Sequence, residues 1–214
     1  MKKIIIVACK RNDLLADPCE LIAGIIQQWH QDMFLPDDLH IESMIVDNDN
    51  LGQTFPRLSN RIHVLKPDAV LTFETIPQRT CITFQKVVYN RFPIERGGTS
   101  VGLDDESRIL PCTLDADMII QALAEKEIPA ICAQDLRPSD CSYVSSIVPI
   151  MIERQKNSPR RPGSIELPDI SAHFGLIQLP LLSDEVCRNV HHRHAPSISR
   201  QALVDAIHII CQFA

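Results

Sequence analysis

Of the eight cysteines in the 214-residue chain, Cys141 is the one whose surroundings could make a thiol reactive. Ser139 follows Pro138 and suits a helix N-cap. That would set Cys141 in the first helical turn, where unbonded N–H groups and the helix dipole favour a thiolate. Asp140 opposes this, because an adjacent carboxylate disfavours a second negative charge. A buried, inert cysteine is the alternative, and the local residues leave both open. A second cluster holds Cys187, His191, His192 and His194. Cys187 and His191 are spaced to share a helical face, so a metal site is sterically possible. Pro196 signals that the helix is ending and no distant fourth ligand is offered, so the cluster reads as surface residues, with no metal and no cofactor expected.

These residues need a scaffold, and short apolar runs alternating with amphipathic stretches predict an α/β fold with a mostly parallel sheet. Strands are expected near Ile4 to Ala8, His40 to Val46, Ala69 to Phe73, Ala130 to Ala133 and Phe174 to Leu179. Asp17 as cap, Pro18 at the first helical position and Glu20 three residues after the cap mark a helix reaching about Trp29. Further helices are expected over about Phe55 to Leu65 and Leu114 to Lys126, from near Ser139, and from about Ser197 to the end of the chain. The stretch from about Thr80 to Arg108 is the least regular. Ile82, Phe84, Val87 and Val88 suggest a strand or hairpin and Arg96 to Ser100 a turn, together forming a surface excursion beside the sheet. With no internal repeat and no clean linker, one domain over 1–214 is expected.

Composition narrows the function. Apolar residues at 45% and charged residues at 22% describe a soluble globule and argue against a membrane protein. There are 15 Pro but only 7 Gly, where average usage gives about 15 Gly at this length. Neither GxGxxG nor GxxxxGK[ST] occurs, which argues against glycine-loop nucleotide enzymes. The net charge of −6 disfavours nucleic acid as a partner. The one basic run, Arg154, Lys156, Arg160 and Arg161, sits among Ser158, Pro159, Pro162 and Gly163 and reads as an exposed loop. The run Ile4 to Cys9 is too short for a secretory signal of ~7 to 15 apolar residues and suits a first buried strand. With no credible signal peptide, a cytoplasmic protein with mostly reduced thiols is expected, and without a CxxC zinc ribbons and thioredoxin-type redox motifs drop out.

The chain resembles the pyroglutamyl peptidase I, or pyrrolidone carboxyl peptidase, family of cysteine peptidases, which remove an N-terminal pyroglutamate. Asp17-Pro18 stands where the family opens its first helix with Asn-Pro, and Lys66-Pro67-Asp68-Ala69-Val70-Leu71 resembles its K-P-D strand. Arg79, Ile82, Phe84 and Asn90 keep the spacing of its R-x-x-I-x-I-E-x-x-A-x-N, with Val87 next to its alanine position. Ile128-Pro129-Ala130, then Cys141-Ser142-Tyr143, fit its I-P-A and C-N-Y. Phe174 to Pro180 resembles its G-F-I-H-V-P, and Pro196-Ser197-Ile198 its P-S-M opening of the last helix. The resemblance runs nearly end to end and implies a three-layer α/β/α sandwich. It also implies a dimer or tetramer of identical chains acting on a small peptide or small molecule.

The resemblance implies a Cys, His and Glu triad, and this chain keeps only Cys141. Gln178 occupies the histidine position and Gln85 the glutamate position. A carboxamide accepts no proton near neutral pH, and loss of a general base alone costs about 100 to 10,000-fold. The positions implied to line the substrate pocket include Ala8, Arg11, Thr75 and Arg137, with Val7 to Arg11 replacing the family's G-F-x-P-F and both its aromatic rings. Glu74 and Arg137 replace glycines, and either Arg91 or Arg96 matches the family's arginine. His173 sits an odd number of strand residues from Gln178 and so faces away from it. Glu74, at the C-terminal end of a parallel strand, is a candidate substitute carboxylate. The expectation is a family-like protein that is weak or inactive as a pyroglutamyl peptidase and serves binding or regulation. An active Cys141 hydrolase or amidase of altered specificity, and an oligomeric scaffold, are the alternatives.

Overall fold

The computed structural model describes residues 1–47, 51–90, 108–134, 144, 149–151 and 172–214. The expected helix from Ser139, the basic run 154–161, Arg91, Arg96, Arg137 and Cys141 itself lie outside these residues.

The first apolar run forms β1 (Lys2–Lys10), whose residues from Ile4 to Cys9 are all buried. Strands buried on both faces read as continuous apolar sequence, and β1 is enclosed in this way. The helix α1 (Pro18–Gln31) begins as its residues dictate, with the Asp17 carboxylate accepting from Cys19 N at 3.0 Å and Pro18 in the first turn. Glu20 does not turn back to the cap and instead takes the Lys10 ammonium at 3.2 Å. Then follow β2 (Leu39–Asp47), α2 (Leu51–Leu65), β3 (Ala69–Thr75) and β4 (Ile82–Gln85). A separate antiparallel pair, β5 (Val87–Asn90) with β6 (Arg108–Pro111), precedes α3 (Ala116–Ala124) and β7 (Ala130–Ala133). The chain closes with β8 (His173–Leu179), β9 (Leu181–Leu182), α4 (Ser183–Arg188), β10 (Ser197–Ile198) and α5 (Arg200–Phe213).

The central sheet runs β2-β1-β3-β8-β4-β7. The first four strands are mutually parallel; β4 runs antiparallel to β8, and β7 parallel to β4. The expected mostly parallel sheet is therefore present, but the surface excursion is corrected. Ile82 to Gln85 are all buried and form an interior strand between β8 and β7. Four residues are too few to show their periodicity; their place is set by the strands they pair with. Two helix starts also differ. α2 begins at Leu51 with Pro56 inside it, and the last helix begins at Arg200, capped by the Ser199 hydroxyl, because Ser197 and Ile198 pair with β9.

Alternation along the strands builds two cores. Ile4, Ile6 and Ala8 of β1, Phe73 of β3 and Ile177 of β8 meet α1, α3 and α5 on one face. On the other face, Ile5, Val7, Val70, Phe174 and Leu176 pack with Leu58 and Ile62 of α2 and with Val144 and Ile150. The glycine shortage has a local expression here. Met33, Lys66 and Glu127 follow α1, α2 and α3 with φ of 52°, 49° and 58°. Glycine adopts that left-handed conformation at helix ends without the side-chain clash.

Candidate active site

The second face carries an unusual set of buried polar side chains. Thr72 and Glu74 of β3, Gln178 of β8, and Thr83 and Gln85 of β4 are all at most 5% exposed. They share a face because Glu74 follows Val70 by an even step and Gln178 follows Leu176. Parallel pairing sets Glu74 opposite Gln178, and the reversed β4 sets Thr83 opposite Gln178 and Gln85 opposite Leu176.

The hydrogen bonds converge on one carboxamide. Gln178 Nε2 donates to Glu74 Oε1 at 2.6 Å. Gln178 Oε1 accepts from Arg79 Nε at 2.6 Å and from Gln85 Nε2 at 2.8 Å. The flanking groups fix which way the amide points, because a guanidinium only donates and a carboxylate only accepts. A carboxyl group and a guanidinium thus stand on either side of one neutral bridge. Gln85 Oε1 and Thr72 Oγ1 are buried without a hydrogen-bond partner among the described residues. Buried acceptors are normally satisfied, so Gln85 Oε1 is an open acceptor among the described residues.

Gln178, Gln85 and Glu74 are therefore brought together. Cys141 falls outside the described residues, but Val144, three positions later, is fully buried in the apolar cluster on this same face. His173 stands at the opposite end of β8, paired with Ala69, and its Nδ1 lies 3.1 Å from Thr113 O. It is not available to act beside Gln178. In the sequence Arg79 is visible only as a motif position. It sits on the turn between β3 and β4, and nothing in its neighbouring residues signals that its partner is Gln178, 99 positions away.

A second polar group holds the loop between β1 and α1. Asp17 accepts from Arg11 N at 2.7 Å, Cys19 N at 3.0 Å and Thr75 Oγ1 at 2.7 Å. Burial outweighs these donors and holds its pKa above the usual 3.8. Glu185, fully buried on α4, accepts from Leu15 N at 2.8 Å and Ala16 N at 2.9 Å through one oxygen and from Asn189 Nδ2 at 2.7 Å through the other. Thr75 and Arg11 meet at this loop. The Arg11 guanidinium forks onto Asp13 at 2.9 and 2.6 Å and holds the Asp13 carboxyl below its usual pKa. Ala8 is fully buried in the apolar core of the other face, apart from the Gln178 cluster.

Burial pushes the thiols of Cys112 and Cys211 up to about 12 and raises that of Cys132, so these three are poor nucleophiles. No disulfide joins the seven described cysteines. Cys187 is exposed on α4, which stops at Arg188, and His191 lies in a separate 3-10 turn from Val190 to His192. Among the described residues no group of three or more His, Cys, Asp or Glu side chains is arranged to hold a metal. Among them, too, no helix is long and apolar enough to cross a membrane.

No protein-family model and no curated protein sequence matches the chain. Solved structures do. The pyrrolidone carboxyl peptidase of Thermococcus litoralis superimposes with a TM-score of 0.75 at 18% identity, covering 100% of this chain and 93% of that one. The Pyrococcus furiosus enzyme gives 0.73 at 16% identity, covering 98% and 96%. Pyroglutamyl peptidase I of Bacillus amyloliquefaciens gives 0.73 at 16%, covering 100% and 97%. End to end, this chain has the fold of the pyrrolidone carboxyl peptidases.

Proposed function

We propose that this protein keeps the pyrrolidone carboxyl peptidase scaffold but is weak or inactive as a pyroglutamyl peptidase, and that it binds a small peptide or small molecule at the Gln178 cluster. The observation that carries this is the Gln178 carboxamide. Both of its polar atoms are engaged, by Arg79 and Gln85 on one side and Glu74 on the other. A histidine at that position could take the thiol proton and return it to the leaving amine. Gln178 can do neither, and Gln85 supplies no charge to steady a cation. In this reading Gln85 Oε1 waits for a donor on the ligand, and the protein is a cytoplasmic homo-oligomer.

The test is incubation with a pyroglutamyl arylamide at high protein concentration, beside a Cys141→Ala control. Release no faster than the control is the expected result. Release at an ordinary enzymatic rate that disappears with Cys141 would overturn the proposal.

Glu74 favours a second reading, because it places one buried carboxylate 2.6 Å from the position where the family has its base. An active Cys141 amidase would use Glu74 as the proton acceptor. In that case the rate of Cys141 alkylation by iodoacetamide follows an apparent pKa well below the free-thiol value of ~8.5, and Glu74→Gln raises it. A wild-type value at or above ~8.5 removes this reading.

A further inference from the structure

At one margin of the sheet, β2 pairs among the described residues with β1 on one side only. His30 Nε2 lies 2.7 Å from Ile41 O, and Leu39 N donates to Pro36 O at 2.9 Å. Both contacts show the odd-numbered residues of β2 turning their backbone away from β1. By alternation Ser43 and Ile45 also present their N–H and C=O groups outward. Among the described residues none bonds to them.

These groups line a groove of about 980 Å³ walled by α1 and α2. At Gly24, on the α1 wall, an added Cβ would meet nothing within 4 Å, so that wall leaves room. The charges in the groove are unevenly satisfied. Glu20 is held by Lys10 at 3.2 Å, and Glu42 faces both His40 and Arg61 at 3.6 Å. Arg57, exposed on the α2 wall, makes no ion pair with a described residue. Arg57 and Arg61 on the α2 wall, the first without an ion pair to a described residue, favour a negatively charged occupant.

We propose that the β2 edge is a docking site for an extended acidic peptide segment of a partner protein. The segment adds to the sheet as a further strand, with its main chain on Ser43 and Ile45 and a carboxylate on Arg57. Strand addition of this kind takes affinity from the main chain and selectivity from flanking side chains. The site is independent of the Gln178 cluster.

The probe is an end-blocked fluorescent octapeptide of alternating valine and glutamate, with a valine and lysine counterpart as control. Anisotropy should show saturable binding of the acidic peptide and about tenfold weaker binding of the basic one. Amide hydrogen exchange should slow at Ser43 and Ile45 when the acidic peptide is present. Ser43→Pro removes an outward N–H without taking a bond from the β1 ladder, and should abolish binding with an unchanged circular dichroism spectrum. Arg57→Glu, on an exposed helix position, should weaken binding at least about fivefold and provides the test if the proline variant does not fold. Equal binding of both peptides, no binding of either, or no protection at Ser43 and Ile45 would overturn the proposal. So would a concentration-dependent dimer protected at those two residues, which would assign the edge to a second copy.

Discussion

Two buried polar groups among the described residues are built from similar residues and end differently. Around the β1–α1 loop, Asp17 and Glu185 spend their oxygens largely on main-chain N–H groups of Arg11, Cys19, Leu15 and Ala16. Around Gln178, side chains bond to side chains, and Gln85 Oε1 has no hydrogen-bond partner among the described residues. Carboxylates that satisfy backbone donors fix the path of the chain. A side-chain network with an orphan acceptor is instead a place where a partner can be added. On the proposed reading, the contrast separates a structural clamp from a binding site without appeal to which residues an enzyme would need.

Removing the clamp should have the largest effect. Glu185→Ala leaves the Leu15 and Ala16 amides and Asn189 without their acceptor and should lower unfolding stability by about 3 kcal/mol in urea denaturation. Glu185→Gln keeps one acceptor oxygen and should lose less. A loss below about 1 kcal/mol for the alanine variant would break the distinction between the two groups. Next in size, Gln178→Leu strands the Glu74 carboxylate and the Arg79 guanidinium and should cost about 2 kcal/mol by the same measurement.

Asp17 sharpens the comparison through pH. Burial raises its folded pKa above 3.8, so the native chain binds the proton more readily than the unfolded chain. Its contribution therefore rises as pH falls through the folded pKa towards 3.8, and the stability deficit of Asp17→Asn should widen between pH 7 and pH 4. A deficit that narrows would reverse the assigned direction. The smallest effect is expected at Gln85. Gln85→Leu loses one hydrogen bond but also removes a buried orphan oxygen, so its stability should change by less than about 1 kcal/mol. If Gln85→Leu destabilises as much as Gln178→Leu, Gln85 Oε1 has a structural partner and the site reading fails.

Much of this was legible in the residues. β1, β2, β3, β7 and β8 announce themselves as apolar runs, and Asp17-Pro18 marks the start of α1 because capping is decided within a few positions. Gln85 and Gln178 could be singled out only by resemblance, and their contact follows from β4 running against β8. Glu185 gave no signal. In Ser183 to Arg188 it looks like one more surface charge, and its partners Leu15 and Ala16 are main-chain amides 170 and 169 residues away. Interior β4 was hidden for a related reason, since a four-residue strand is defined by its neighbours in space. Local rules read local structure; long-range pairing has to be seen.

The position of β8 also bears on how the chain is made. It lies at the middle of the sheet yet comes late in the sequence, and its side-chain partners Glu74, Arg79 and Gln85 are 104, 99 and 93 residues earlier. Until that strand leaves the ribosome, β3 and β4 have no common neighbour and present open strand edges. Such a nascent chain folds slowly and is prone to pairing with the wrong strand. The Gln178 bridge thus forms only after about five-sixths of the 214-residue polypeptide has been synthesised, so a chain terminated before β8 lacks the strand that joins β3 to β4.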